Sequence, residues 1–323
     1  MNSRERVIAT IKHQQPDRIP VYSWIAENLS MPITKHFGSV AAFEDKYEFD
    51  FAHLFGGPPT ISEKTLEDAR GKTGASLDPQ TALELPFTDP DDMSFYTNLR
   101  KQIEHHKEIR ERFVYVQTPG IFEAFNGIFG IENHLMYLLV FPDELMRLYK
   151  RQAQWNQSFA MNCLDLGVDM IHVSDDWGAQ HNLMFSVETW RTMIFPNHKS
   201  TADAVKHRGA FLSLHSDGNV NAVVDGILEL GYDVLHPWQE SAGMDLNQFH
   251  AQYRQKFTVM GGLDVQNTIG FGDYTVLEKS IHRVLSMFKD GGLLYCTSHF
   301  IQNHCTMEEL IFAYDLIYDT VRK

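Results

Sequence analysis

GAFLSLHSDGN, residues 209–219, is apolar from Ala210 to Leu214 and then turns abruptly to His215, Ser216, Asp217 and Gly218. A buried parallel strand reads this way where it reaches the end of a sheet and presents polar side chains. Side chains alternate along a strand, so His215 and Asp217 share a face and Ser216 takes the other. An imidazole and a carboxylate so placed can share a metal ion, share a proton, or form a plain structural hydrogen bond.

Working outward in both directions, short apolar runs recur between helical stretches. The pattern predicts strands at 19–24 (IPVYSW), 49–55 (FDFAHLF), 113–118 (FVYVQT) and 168–173 (VDMIHV), with the opening stretch fifth. Three more follow at 233–235, 258–263 (TVMGGL) and 293–297 (LLYCT). Amphipathic helices are expected at 3–13, 142–166, 187–207, 220–230, 246–253, 274–288 and 308–321. Residues 60–88, polar and proline-bearing, read as an excursion, a β-hairpin or a lid. Eight strands alternating with helices argue for one α/β domain over 1–323, a (β/α)8 TIM barrel with an N-terminal helical extension. An open doubly wound sheet would call for a glycine-rich phosphate turn after an early strand, and the sequence has none.

Composition narrows the partners. A formal charge of −14 over 323 residues disfavours a nucleic-acid backbone or an anionic membrane surface. Neither an export signal nor an 18-residue apolar span is present, and three cysteines without scaffold spacing suit a reducing cytoplasm.

Barrel active sites lie at the carboxyl ends of the strands. Those ends carry Asp175 and Asp176 (fourth), His215 and Asp217 (fifth), His236 and Glu240 (sixth), Asp264 and Gln266 (seventh) and His299 (eighth). A scaffold alone has no need of titratable groups at five successive ends, so the site is expected there. His215, Asp217 and His299 are candidate ligands of one zinc ion, whose catalytic sites keep a position open for water or substrate. Cys296, His304 and Cys305 can replace or supplement a ligand. The alternative is a metal-free acid–base pair of His215 with Asp217. Asp176, Asp175 and Glu240 are the candidate proton-transfer groups, with one of the adjacent aspartates facing the mouth while the other caps a helix or binds an amide. Trp177 and Trp238 are candidate walls for an apolar substrate, and Gln180, His236, Asp264, Gln266 and Gln302 candidate polar contacts.

Several stretches, in this order along the chain, resemble the uroporphyrinogen decarboxylase superfamily: RERVIATIKHQQPDRIPV near the start, then SDDWGAQ, LHSDGNV, GYDVLHPWQESAGMDL, GGLDVQ and SHFIQN. The resemblance implies a (β/α)8 barrel with its site at the carboxyl-terminal mouth. The decarboxylases proper carry an arginine-rich motif near the N-terminus for porphyrinogen carboxylates; residues 22–27 (YSWIAE) stand there instead, without arginine. The other branch contains cobalamin-dependent methyltransferases, which hold zinc through a His-x-Cys pair and a late cysteine. His215 falls on that histidine, Asp217 on the first cysteine and His299 close to the late one. The resemblance thus implies methyl transfer from a methylated small molecule, such as a methyl ether, to a corrinoid carried by a separate protein. Harder ligands replace both thiolates, which weighs against thiol substrates. A metal-independent decarboxylase acting on a smaller acid and a non-catalytic tetrapyrrole- or corrinoid-binding barrel are the other readings, and a homodimer is left open.

Overall fold

The computed structural model describes residues 1–25, 27–73 and 77–322. Ala26, inside the arginine-free YSWIAE stretch, and residues 74–76 of the excursion lie outside the described residues. Seven strands follow one another in chain order: β1 (Phe51–Leu54), β2 (Phe113–Pro119), β3 (Met170–Ser174), β4 (Phe211–His215), β5 (Val234–His236), β6 (Thr258–Leu263) and β7 (Leu293–Thr297). Their described pairings are all parallel and helices connect them, which is the (β/α)8-barrel class of α/β fold. No helix among the described residues is long and apolar enough to cross a membrane.

Two compact units are built from interleaved segments. The first comprises Met1–His53, His106–Val114 and Asp233–Lys323. In it β6 pairs with β5 and β7, and the predicted strand at 19–24 is reduced to a single parallel bridge between Val21 and Tyr295. Tyr22 donates its amide to the Tyr295 carbonyl (3.0 Å), and Tyr295 donates to Pro20 (2.9 Å). The ladder stops there for a physical reason: Pro20 has no N–H to give. At the other end the Trp24 amide turns to the Thr297 hydroxyl (3.1 Å), while the Val21 amide, on the opposite edge, donates to the Asp50 carboxylate (2.8 Å). Asp50 is fully buried and is neutralised by Arg6 and Arg18, each at 2.6 Å. This explains why the helix Ser3–Ile11, carrying Arg6, is tied down rather than frayed.

The second unit comprises Leu54–His105 and Tyr115–Tyr232. Here β3 pairs with β2 on one side and β4 on the other, in a register that sets Gln117, His172 and Ser213 abreast and, two residues on, Pro119, Ser174 and His215. The excursion is helical, Glu63–Thr73 and Pro79–Leu83, and not a β-hairpin. Its prolines mislead as breakers. Pro79 occupies the first helical turn behind an Asp78 cap, whose carboxylate accepts the Thr81 amide (2.7 Å), a place where proline's missing N–H is harmless.

Candidate active site

The chemistry-bearing side chains of the second unit gather where β2, β3 and β4 end. β2 leaves the sheet through Pro119-Gly120, and a Cβ on Gly120 would sit 2.3 Å from Asp175 Cβ. Only glycine lets the chain pass so close, and the passage brings the next helix, Glu123–Phe129, with its first amides onto the Asp175 carboxylate. Asp175 Oδ2 accepts from Ile121 (3.0 Å) and Phe122 (3.2 Å), and Oδ1 from Glu123 (2.6 Å). His198 Nε2 lies 2.7 Å from Oδ2, and His198 Nδ1 lies 2.7 Å from the Tyr232 hydroxyl. Burial keeps the proton on Tyr232, so its hydroxyl donates to Nδ1 and fixes the tautomer that donates to Asp175. Burial alone would push the Asp175 carboxyl up, but the bonds from His198 and the amides of Glu123 and Ile121 hold it below the usual carboxylate range. Of the two adjacent aspartates, then, Asp175 is the one that binds backbone amides. Fully buried and bonded to three amides and His198, it is a positioning residue, and the sequence-based expectation of proton transfer does not suit it.

Asp176 points the other way and its side chain is 31% exposed. Its Oδ1 accepts the Asp217 amide (2.8 Å) and lies 3.7 Å from His215 Nε2, which is 3.9 Å from Asp217 Oδ1. Donors on a tetrahedral zinc with bonds of about 2.0–2.1 Å stand about 3.4 Å apart. The His215–Asp217 spacing exceeds this by an amount that a small side-chain rotation removes, so the pair fits such an ion. The loops that carry these groups are zipped together. Trp177 donates to Ser216 Oγ (2.9 Å), Asp175 to the His215 carbonyl (2.9 Å) and Asn219 to the Ala179 carbonyl (2.8 Å). Where they cross, Gly178 meets Gly218: a Cβ on either would lie 2.4–2.5 Å from the other loop's backbone.

Glu123 is the residue sequence reasoning missed. The Ser174 hydroxyl donates to its Oε2 (2.9 Å), and the side chain stays half-buried. Burial first, then the negative charges of Asp176 and Asp175, pushes this carboxyl up to about 7. The available signal was an acidic residue in the first turn after the Pro-Gly exit of β2, set among the phenylalanines and isoleucines of 121–139.

Other expected residues are placed elsewhere. Trp177 is fully buried against Trp190 and His198, with ring centroids at 5.5 and 5.0 Å; it is core, not a substrate wall. Gln180 is exposed on the same loop. In the first unit, Trp238 is buried against Phe249 and donates to the Asp245 carbonyl (3.2 Å), so it too is core. Glu240 pairs with Arg283 (2.5 Å) near the surface, which occupies it otherwise than in proton transfer. His236 is buried, stacked on Trp24 at 4.2 Å, with Nε2 3.2 Å from the Thr297 carbonyl. His299 lies beside Trp24 and Phe300, at 6.0 and 5.6 Å. Asp264 Oδ1 accepts the Gln266 amide, the Gln266 side chain accepts from Ser241, and Gln302 donates to the Phe300 carbonyl. His304 is exposed beside Phe271. Cys296 and Cys305 are buried, and burial pushes the Cys305 thiol up to about 12 and Cys296 well above its ordinary value.

Comparison with known proteins adds family and fold. The uroporphyrinogen decarboxylase (URO-D) family model matches residues 101–317. A methyltransferase from Methanosarcina mazei superposes with a TM-score of 0.66 at 13% identity, over 99% of both chains. A sugar phosphate isomerase/epimerase from Parabacteroides distasonis gives 0.48 at 10% identity, covering 94% of this chain and 95% of its own. A B12-independent methionine synthase from Shewanella sp. W3-18-1 gives 0.42 at 11%, covering 73% and 69%. No curated protein sequence matches this chain.

Proposed function

The chain belongs to the uroporphyrinogen decarboxylase family, and from that premise we propose that it is a methyltransferase moving a methyl group from a methylated small molecule to a corrinoid on a separate protein. The observation that carries this reading is the meeting of His215 Nε2 with the Asp217 and Asp176 carboxylates at 3.9 and 3.7 Å. The stretches that form the mouth of this unit, 119–123, 174–180 and 215–219, hold Glu123, Asp175, Asp176 and Asp217 and no lysine or arginine. A substrate with many carboxylates would be repelled there, which favours methyl transfer over a porphyrinogen-type decarboxylation.

His215 and Asp217 would hold the zinc ion. When bound, zinc supplies a Lewis acid that draws charge from the heteroatom losing its methyl group. Asp176 holds the Asp217 backbone in place through its amide bond. Asp175 positions Glu123 from the far side by accepting that residue's N–H. The test is metal content and methyl transfer to a reduced corrinoid acceptor, measured for the wild type, His215→Ala and Asp217→Ala. Stoichiometric zinc, lost together with activity in both variants, is the expected result. Full activity in chelator-treated, zinc-free protein would refute the metal assignment, and carbon dioxide release from a carboxylic acid without corrinoid would refute methyl transfer.

A further inference from the structure

Four carboxylates stand at the ends of β2, β3 and β4, and their bonds separate their roles. Asp175 is fully buried, with three amides and His198 upon it. Asp176 is occupied by the Asp217 amide, and Asp217 is a proposed metal ligand. Glu123 differs from all three. Its side chain is only half-buried, its Oε2 accepts from the Ser174 hydroxyl (2.9 Å), and the Asp176 backbone also bonds to the carboxyl.

We infer that Glu123 is the catalytic acid of this site, protonating the oxygen that the methyl group leaves, with the Ser174 hydroxyl as its positioning partner. The inference rests on the methyl-transfer reading and deepens it. In the step, the electron pair of the reduced corrinoid forms the new bond to the methyl carbon. The carbon–oxygen pair goes to oxygen, and oxygen takes the proton from the Glu123 carboxyl. The products are a methylated corrinoid, an alcohol or phenol, and a Glu123 carboxylate that regains its proton from water. A proton donor is needed most where the leaving atom is oxygen, since an alkoxide or phenoxide is a poor leaving group and an amine leaving from a quaternary nitrogen needs no proton. The site therefore suits methyl ethers.

The environment supports the protonated form. The groups described as facing Glu123 are Ser174, Asp175 and Asp176 at the end of β3, two of them anionic, and together with burial they keep its carboxyl protonated up to about 7. A carboxyl balanced near neutrality both holds and releases a proton at working pH.

The experiment compares wild type, Glu123→Gln and Ser174→Ala on methyl aryl ethers whose phenols range from weakly to strongly acidic, with a reduced corrinoid acceptor. General acid catalysis contributes about 10²–10⁴-fold. Glu123→Gln should lose about that much on the least acidic leaving group, within tenfold of nothing on the most acidic, and should lack the fall in kcat that the wild type shows as pH rises through about 7. Ser174→Ala should shift that limb while retaining the leaving-group dependence. A uniform loss across all leaving groups, or cleavage undiminished in Glu123→Gln, overturns the assignment and leaves methyl transfer standing. A wild type inert towards every ether overturns both.

Discussion

Replacing Asp175 with alanine tests whether its knot of hydrogen bonds holds the mouth of the second unit together. The substitution strips partners from three backbone amides (121, 122 and 123) and from His198 Nε2, in a place where Asp175 itself has no exposed surface. Each orphaned buried donor costs about 1–3 kcal/mol, but the first helical turn can open to water, so the total should fall near about 3–5 kcal/mol. An unfolding entropy of about 2.1 cal/mol/K per residue converts each kcal/mol into about 1.5 °C for a chain of this length, giving a fall of about 5–8 °C in Tm at pH 7. The pH dependence has a definite sign. Asp175 titrates below the usual range when folded, so its stabilisation is complete above the unfolded value near about 4 and fades as pH falls through the folded one. The gap in Tm between wild type and Asp175→Ala, followed by calorimetry from pH 7 down to pH 3, should stay constant and then narrow at the acid end. A gap under about 1 °C at pH 7, or one that widens on acidification, would refute the reasoning.

Three further outcomes follow from other features. Gly218→Ala places a methyl 2.4 Å from Gly178 backbone at φ +78°, whereas Gly209→Ala has the same kind of left-handed backbone (φ +68°) in open space. Calorimetry should show a loss of about 2–4 kcal/mol for the first and about 1 kcal/mol for the second, and equal losses would contradict the crossing of the loops. Glu240→Gln breaks a partly exposed pair with Arg283 and should change stability by no more than about 1 kcal/mol with methyl transfer unaltered; a large fall in kcat would restore Glu240 to the catalytic groups. Cys163, Cys296 and Cys305 are all buried with thiols pushed up by burial, so Ellman's reagent at pH 7.5 should find none reactive in the native protein and three after denaturation.

The strands were legible because each is a short apolar run that ends in polar residues, and β6 and β7 occupy the predicted bounds of 258–263 and 293–297. The segment at 19–24 was legible as extended chain but not as a single bridge, because the acceptor that takes the Trp24 amide out of the ladder is a side chain, Thr297, 273 residues away. The site was readable as a list of strand ends. What could not be read was which acid each backbone amide would choose: Asp175 and Asp176 are neighbours of identical chemistry, divided only by the chain's direction after Ser174. Glu123 was not legible because its proton affinity arises first from burial and then from Asp176 and Asp175, some fifty residues further on, and no local pattern records that crowding. Trp177 and Trp238 were misread as walls because an aromatic just past a strand looks the same whether it turns to the mouth or into the core.

The crossing of Gly178 over Gly218 has a consequence for anyone altering what this protein accepts. With neither position able to carry a side chain, the two loops offer little room for variation at their point of contact, and substitutions there fail in either loop alone. Freedom lies one or two steps away, at Ala179 and Gln180, which are exposed and whose side chains can change without separating the backbones. A library aimed at new substrates should spend its diversity on those two positions and leave both glycines untouched.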